Sequence, residues 1–287
     1  MTPIRAASST FLSCFLSLSL AAQQSTITQQ GPLLLQNSLV AMIGGTTLKD
    51  VTITGTARRI VGSDDETGTA TLTALSTGES RINLGFPSGA PGEVRANSAN
   101  GPVGQWTGAD GIAHAISQHN LLVSSSWFFS PFTLAAALSD PNSVISYVGH
   151  ESFDGNPVEH ISISSQFASL PASQTTTLLQ HLTQMDIYLD STTVLPRALS
   201  FNIHSDSNAL LDIPVIIRYS NYQPLNGAQI AFHVQKFLNN NLVLDLQFQS
   251  ANFNTGLTVS AFTLAASSPP SLSNVVAASH LAPAVQP

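Results

Sequence analysis

Cysteine, charge and long apolar runs are scarce in this sequence, and each absence excludes a class of protein. Cys14 is the only cysteine among 287 residues, so a disulfide framework within the chain is excluded. Charged residues make up 9% of the chain, with 9 basic and 16 acidic side chains. Because phosphate binding needs clustered Lys and Arg, we expect no nucleic-acid partner.

No apolar run is as long as the roughly 20 residues that a membrane-spanning helix needs. A shorter apolar run, residues 11–20, follows Arg5 and precedes small residues at Ala21 and Ala22. This order is typical of a secretory signal peptide that is removed after export. We therefore predict a periplasmic or secreted protein, cleaved at Ala21 or Ala22, with no transmembrane segment in the mature chain.

Recognisable catalytic and metal-binding motifs are also missing. The sequence contains neither a Gly-x-Ser-x-Gly elbow nor a His-Glu-x-x-His motif. Of the eight histidines, His114 lies near His119, and His150 lies near His160 across a predicted hairpin. Zinc needs three or four converging ligands, and no third one is evident. We therefore predict no catalytic residue, no metal ligand and no cofactor, and we expect the protein not to be an enzyme.

Alternating, β-branched sequence dominates what is present. Residues 51–61, VTITGTARRIV, show the period of two that is typical of a strand, and similar segments recur to residue 253. Asn226-Gly227 is a strong hairpin signal. Because no long helical crossovers separate the strands, a parallel sheet is disfavoured. We predict a mainly β (α+β) fold with about ten strands in one large, curled antiparallel sheet.

Helical patterns are confined to a few segments. Residues 32–42 have helical apolar spacing and end before Gly44-Gly45, a good C-terminal stop. Ser130-Pro131 is a suitable start for a short helix through Leu138. Residues 170–183 fit either a short helix or a long loop. We expect the N-terminal helix and one or two short helices on the concave face of the sheet.

The chain divides into three parts on this interpretation. Residues 1–22 are the signal peptide, and residues 23–264 are a single half-barrel domain. Residues 265–287 are rich in Ala, Ser, Pro and Val, and this composition predicts a disordered tail.

Short motifs follow one another in a fixed order in the last third of the chain. They are Ile187-Tyr188-Leu189-Asp190, Leu195-Pro196, Ile217-Arg218-Tyr219-Ser220-Asn221-Tyr222, Leu225-Asn226-Gly227 and Asn252-Phe253-Asn254. With the N-terminal helix, the Gly-Gly break and Lys49-Asp50-Val51, they resemble the lipoprotein-carrier (LolA-like) superfamily of bacterial envelope proteins. The resemblance implies a half-barrel with a helix inside or across its concave face, and a hollow that takes acyl chains or other apolar segments.

One aromatic segment is the candidate ligand-lining surface. Its apolar members are Trp127, Phe128, Phe129, Phe132, Leu134 and Leu138. We interpret them as a lid or wall over a hydrophobic cavity. The alternative is a helix that completes the core, since aromatic clusters are usually core. The two interpretations overlap, because the hollow of this fold is its core.

The leading functional hypothesis is a non-enzymatic envelope protein that binds an apolar ligand in the hollow of its sheet. The ligand class is a lipid acyl chain or a lipidated partner. The first alternative is a non-catalytic scaffold or sensor that binds another envelope protein. The second alternative is a hydrolase with no recognisable motif.

Overall fold

The structure is a computed structural model that describes residues 29–167, 170–171 and 173–265. The predicted signal peptide and, beyond residue 265, the predicted tail lie outside the described residues. Within the described residues, no helix is both long and apolar enough to cross a membrane.

Thirteen strands and three α-helices make up the described part of the chain. The strands are β1 (Asp50–Val61), β2 (Asp64–Leu75), β3 (Ser80–Gly85), β4 (Gly92–Ser98), β5 (Gly101–Thr107), β6 (Ala113–Ala115), β7 (Ser143–Phe153), β8 (Asn156–Ser165), β9 (Met185–Asp190), β10 (Pro196–Ser205), β11 (Asn208–Leu225), β12 (Ala228–Leu238) and β13 (Asn241–Phe253). The helices are α1 (residues 29–43), α2 (Ser130–Ser139) and α3 (Gln174–Leu182). Short 3-10 turns span Gln118–Leu121 and Val259–Phe262.

All thirteen strands belong to one antiparallel sheet with the order β6-β5-β4-β3-β2-β1-β13-β12-β11-β10-β9-β8-β7. The chain starts in the middle at β1, runs outward to the edge strand β6, and then crosses to the opposite edge strand β7. It returns strand by strand until β13 pairs with β1. Since β6 and β7 do not pair, the curled sheet is unclosed, and the segment between them has to bridge the open side.

Two glycines allow strands to approach closely in the centre of the sheet. At Gly55 a β-carbon would lie 2.1 Å from the carbonyl oxygen of Gln247, and the register of β1 against β13 shifts at this point. At Gly68 a β-carbon would lie 1.9 Å from the carbonyl oxygen of Gly85. Bulges and strand glycines of this kind bend a sheet, so these positions favour curling.

The main core joins the sheet to α1 and α2. Leu35 and Met42, two helical turns apart on α1, are fully buried in the same cluster as Ile53, Leu72 and Val234 from the strands. The helix α3 contributes much less, since Leu182 is its only buried residue. The core therefore lies on one face of the sheet, beneath α1 and the segment that leads through α2.

The predicted fold class is confirmed, although thirteen strands replace the predicted ten or so. The short strands β5 and β6 lie on either side of a turn, although their sequences GPVGQWT and AHA have little β-branched alternation. The predicted helix from Ser130 is confirmed as α2, but Phe129 occupies its N-cap position, without a side-chain cap. Ser130 Oγ instead lies 3.3 Å from Met42 Sδ, so this side chain connects α2 to α1.

A buried carboxylate holds the segment after β13. Asp50 accepts hydrogen bonds from the backbone N–H groups of Thr255 (2.8 Å), Gly256 (2.9 Å) and Leu257 (3.3 Å). Burial raises the pKa of Asp50, but these hydrogen bonds outweigh burial, and the pKa ends below its ordinary value. The segment then places Phe262 in a second small core with Leu75 and Val94.

Replacing Asp50 by Ala is expected to lower the free energy of unfolding by about 3 kcal/mol, because several charge-assisted hydrogen bonds are lost. Since the folded pKa of Asp50 is depressed, its contribution is present above the unfolded pKa and is lost as pH falls through the folded pKa. Urea unfolding at pH 7 and at acid pH measures both effects. Asp110→Ala, in an exposed turn where Asp110 accepts one backbone hydrogen bond, is the control. Equal losses in the two variants would contradict this assignment.

Candidate ligand-binding hollow

The segment that bridges the open side of the sheet, residues 122–139, covers its apolar face. We call it the covering segment. Trp127, Phe128, Phe129, Phe132 and Leu134 are each between 1% and 5% exposed. Leu138 is half-buried against the same core. Phe129 and Phe132 meet edge to face with ring centres 4.9 Å apart. All six predicted ligand-lining residues therefore lie together in the main core.

The hollow beneath α2 is filled by these side chains. The space between α2 and strands β9 to β11 has about 0 Å³ of free volume, and the space beneath Phe128 and Phe129 has about 10 Å³. A single water needs roughly 10–15 Å³ of such space. In this conformation an acyl chain has no room beneath the helix, and its entry requires the covering segment to move.

An open cleft of about 380 Å³ lies beside α2. The helix contributes Phe132, Ala136 and Ala137 to its wall, and Ile163 and Met185 extend the apolar part. The remaining wall is rich in hydroxyl groups from distant turns and strand ends: Ser76, Thr77, Ser124, Ser125, Ser126, Thr133, Ser139, Ser143, Ser164, Ser165 and Thr183. Sequence reasoning missed this cleft, because its residues come from separate parts of the chain.

Several polar contacts hold the covering segment to the sheet. Tyr219 Oη donates a hydrogen bond to the carbonyl oxygen of Trp127 over 2.5 Å. Arg95 Nη1 donates to the carbonyl oxygens of Asn120 (3.2 Å) and Val123 (3.3 Å). Burial raises the pKa of Tyr219 well above its ordinary value, so this phenol stays protonated and keeps its donor.

Comparison with known proteins gives a fold but no close relative. No protein-family model and no curated protein matches this sequence. A candidate outer membrane lipoprotein-sorting protein domain from Vibrio parahaemolyticus superposes with a TM-score of 0.50 at 14% identity, over 82% of this chain and 97% of that one. A DUF1329 family protein from Desulfovibrio piger also has a TM-score of 0.50, at 10% identity over 83% and 97% of the two chains. A LolA superfamily protein from Nitrosomonas europaea has a TM-score of 0.47 at 11% identity, over 82% and 97%.

The chain has a divergent LolA-like fold. The motifs on which we based the resemblance lie in β9, β11 and β13 and at the turns that end these strands. Asp190 accepts hydrogen bonds from the backbone N–H groups of Thr192 (3.0 Å) and Thr193 (2.8 Å) and from Arg197 Nε (2.8 Å). Tyr219 differs, because it contacts the covering segment directly.

A charged trio lies where the LolA-like sheet meets the covering segment. Glu93 Oε1 and Arg95 Nε are 2.6 Å apart, and Lys236 Nζ lies 4.9 Å from the ring centre of Trp127. Burial raises the pKa of Glu93, but Arg95 and Lys236 outweigh burial and leave it below its ordinary value. Burial lowers the pKa of Lys236, and Glu93 opposes this change. Glu93 is thus the counter-ion of Arg95, and its charge also favours the charged form of Lys236, which lies beside Trp127.

The histidine pairs considered in the sequence are only hydrogen-bonded or stacked. His114 stacks on Trp106, and His119 Nε2 lies 3.1 Å from the carbonyl oxygen of Ser205. His150 Nδ1 lies 2.9 Å from Glu159 Oε1, across the β7–β8 hairpin as expected. A different group does converge: His181 and His204 both contact Asp212.

Glu93→Gln is expected to destabilise the protein by about 3 kcal/mol, because Arg95 loses its ion-pair partner and Lys236 loses a nearby negative charge. Since the folded pKa of Glu93 is depressed, its contribution is present above the unfolded pKa and is lost as pH falls through the folded pKa. Urea unfolding of the variant at pH 7 measures the loss.

Asp65→Asn is the matched control for this measurement. Asp65 pairs with Arg58, and both side chains are about half exposed, so solvent screens the pair and the loss should be much smaller than in Glu93→Gln. A loss in Glu93→Gln no larger than in this control would show that the trio does not stabilise the fold.

Proposed function

We propose that this protein is a non-enzymatic protein of the cell envelope that holds an apolar ligand in the hollow of its sheet. The ligand is a lipid acyl chain or the lipid of a lipidated partner. One observation carries the proposal: the apolar face of an unclosed sheet is covered by α1 and by one crossing segment, residues 122–139, whose core contacts are mainly hydrophobic. The signal-peptide pattern before residue 22 supports the location.

Either the aromatic side chains of the covering segment or an acyl chain could cover the apolar face of the sheet, because both do so by hydrophobic burial. Burial is non-directional, so an acyl chain can replace aromatic side chains without matching a hydrogen-bond pattern. Withdrawing Phe128, Phe129 and Phe132 costs about 6 kcal/mol at about 2 kcal/mol each. Ten buried methylenes contribute about 8 kcal/mol in return. The exchange is therefore nearly balanced, and this balance suits uptake followed by release.

The cleft beside α2 is the route by which such a ligand would enter. Its apolar wall includes Phe132, which belongs both to the cleft and to the filled hollow. Its hydroxyl-rich wall would contact a polar headgroup, while the chain replaces the side chains beneath α2. The charged trio and Tyr219 would then hold the covering segment in its closed position until the ligand displaces it.

A protein-binding scaffold is the second candidate. It is favoured by the small free volume beneath α2, which leaves no open cavity in the hollow. In that case the covering segment is a permanent part of the core.

Mass spectrometry of organic extracts is the direct test. The mature protein is purified from its native envelope and extracted, and the uptake of a fluorescent fatty-acid probe is measured on the delipidated protein. We expect a stoichiometric lipid in the extract, and saturable uptake of the probe. If the extract contains no lipid and the delipidated protein takes up no probe, the lipid-binding proposal is refuted and the scaffold is favoured.

Tyr219→Phe is expected to strengthen probe binding about tenfold. The variant removes the donor to the Trp127 carbonyl and so destabilises the closed covering segment by about 1.4 kcal/mol. A ligand that binds only the open form gains by the same factor. Fluorescence titration of the delipidated protein measures this change.

Tyr147→Phe is the control for this titration. It removes a tyrosine hydroxyl that donates to Glu159 Oε2 over 2.6 Å, a hydrogen bond within the β7–β8 hairpin rather than to the covering segment. Its probe affinity should match that of the unchanged protein. Equal affinities in all three proteins would show that the covering segment does not gate the hollow.

A further inference from the structure

Side chains from three separate elements converge beside the β10–β11 turn. His181 belongs to α3, His204 to β10 and Asp212 to β11. Nε2 of His181 lies 2.9 Å from Asp212 Oδ1, and Nε2 of His204 lies 3.0 Å from the same oxygen. Each of the three residues offers one ligand atom that lies within 4.8 Å of those of the other two. Among the described residues, this is the only group of at least three such side chains whose donor atoms converge.

We propose that His181, His204 and Asp212 form a binding site for a zinc-class divalent transition metal. Imidazole nitrogen with carboxylate oxygen suits Zn²⁺, whereas Ca²⁺ and Mg²⁺ take oxygen ligands. Zinc–ligand bonds of 2.0–2.2 Å in a tetrahedral site place neighbouring ligand atoms roughly 3.3 Å apart. The two nitrogen–oxygen separations, 2.9 and 3.0 Å, each need to widen by about 0.3 to 0.4 Å to reach this spacing.

Surrounding groups hold two of the three ligands in place. The backbone N–H of His204 donates to Asn120 Oδ1, and Asn120 Nδ2 donates to the carbonyl oxygen of His204, each over 2.8 Å. Asn202 Nδ2 donates to Asp212 Oδ2 over 3.1 Å and so orients the carboxylate. Such outer contacts fix the orientation of metal ligands and strengthen binding.

The His204 ring can hold its proton away from a bound metal, and solvent can reach the other two ligands. Nε2 of His204 faces the Asp212 carboxylate, which holds the ring proton on Nε2, whereas Nδ1 is buried without a hydrogen-bond partner. A metal that takes Nε2 displaces this proton, and the neutral ring can then carry its proton on Nδ1, where no neighbour is bonded. The side chains of His181 and Asp212 are 38% and 40% exposed, and His181 lines a cleft of about 270 Å³. The remaining coordination positions are thus accessible to water or a further ligand.

A second histidine–aspartate pair in the same sheet provides an internal comparison. His233 Nε2 lies 3.0 Å from Asp245 Oδ1, which matches the His204–Asp212 distance. Here Gln235 rather than a second histidine contacts the carboxylate. This pair offers one imidazole and one carboxylate but lacks a second histidine, so it should not hold the ion.

Zinc titration of the full-length chain, purified without a histidine tag, tests the proposal. Isothermal titration calorimetry is expected to show one equivalent of Zn²⁺, and Co²⁺ is expected to give the visible absorption of a four- or five-coordinate site. His181→Gln and Asp212→Asn should each weaken zinc binding more than about tenfold, since even outer-shell partners of metal ligands are worth that much. Asp245→Asn should retain the original affinity.

Three results would overturn the site. They are the absence of stoichiometric Zn²⁺ binding, an unchanged affinity in His181→Gln, or an equal loss in Asp245→Asn. Circular dichroism checks that each variant is folded. His181 is the decisive position, because it is partly exposed and its replacement leaves the buried His204 in place. If Asp212→Asn does not fold, His181→Gln together with Asp245→Asn still decides the question.

Discussion

The unclosed sheet is the constraint on which the rest of this structure depends. Thirteen strands curl around one apolar face, but β6 and β7 do not pair, so no strand covers the open side. The chain itself must cover that face, because exposed apolar surface of this extent is unfavourable in water. The helix α1 and the covering segment do so, with buried side chains such as Leu35, Phe128 and Leu134. The core of the fold and its candidate binding site are therefore the same region.

A cover of this kind combines non-directional and directional contacts. The aromatic side chains contribute most of the burial, and any apolar group of similar volume could take their place. The polar contacts are fewer and specific: the Tyr219 hydroxyl on the Trp127 carbonyl, the Arg95 guanidinium on Val123, and the Lys236 ammonium over the Trp127 ring. These polar contacts specify one closed position of the covering segment, whereas hydrophobic contacts alone would allow several positions. The same division of roles would let a lipid compete with the cover without unfolding the sheet.

Near the turn between β10 and β11, the crossing between β6 and β7 is connected to the sheet at a place outside the main core. Asn120, in the crossing between β6 and β7, is hydrogen-bonded to the backbone of His204 on β10. This contact holds the histidine beside Asp212, where His181 from α3 completes the proposed metal site. Binding of an ion there would connect α3, β10 and β11, next to the start of the covering segment.

The sequence by itself determined the class of the fold. Alternating residues such as those of 51–61 specify strands with one apolar face, and short turns make neighbours antiparallel. The helical spacing of residues 32–42 and the aromatic density of 127–138 identified the elements that cover that face. Local periodicity predicts which face of an element is buried, but it does not predict which remote elements come into contact. Only the tertiary structure decided that the hollow is filled, that Tyr219 contacts Trp127, and that His181 and His204 share one carboxylate oxygen, because each depends on strands brought together by the curl of the whole sheet.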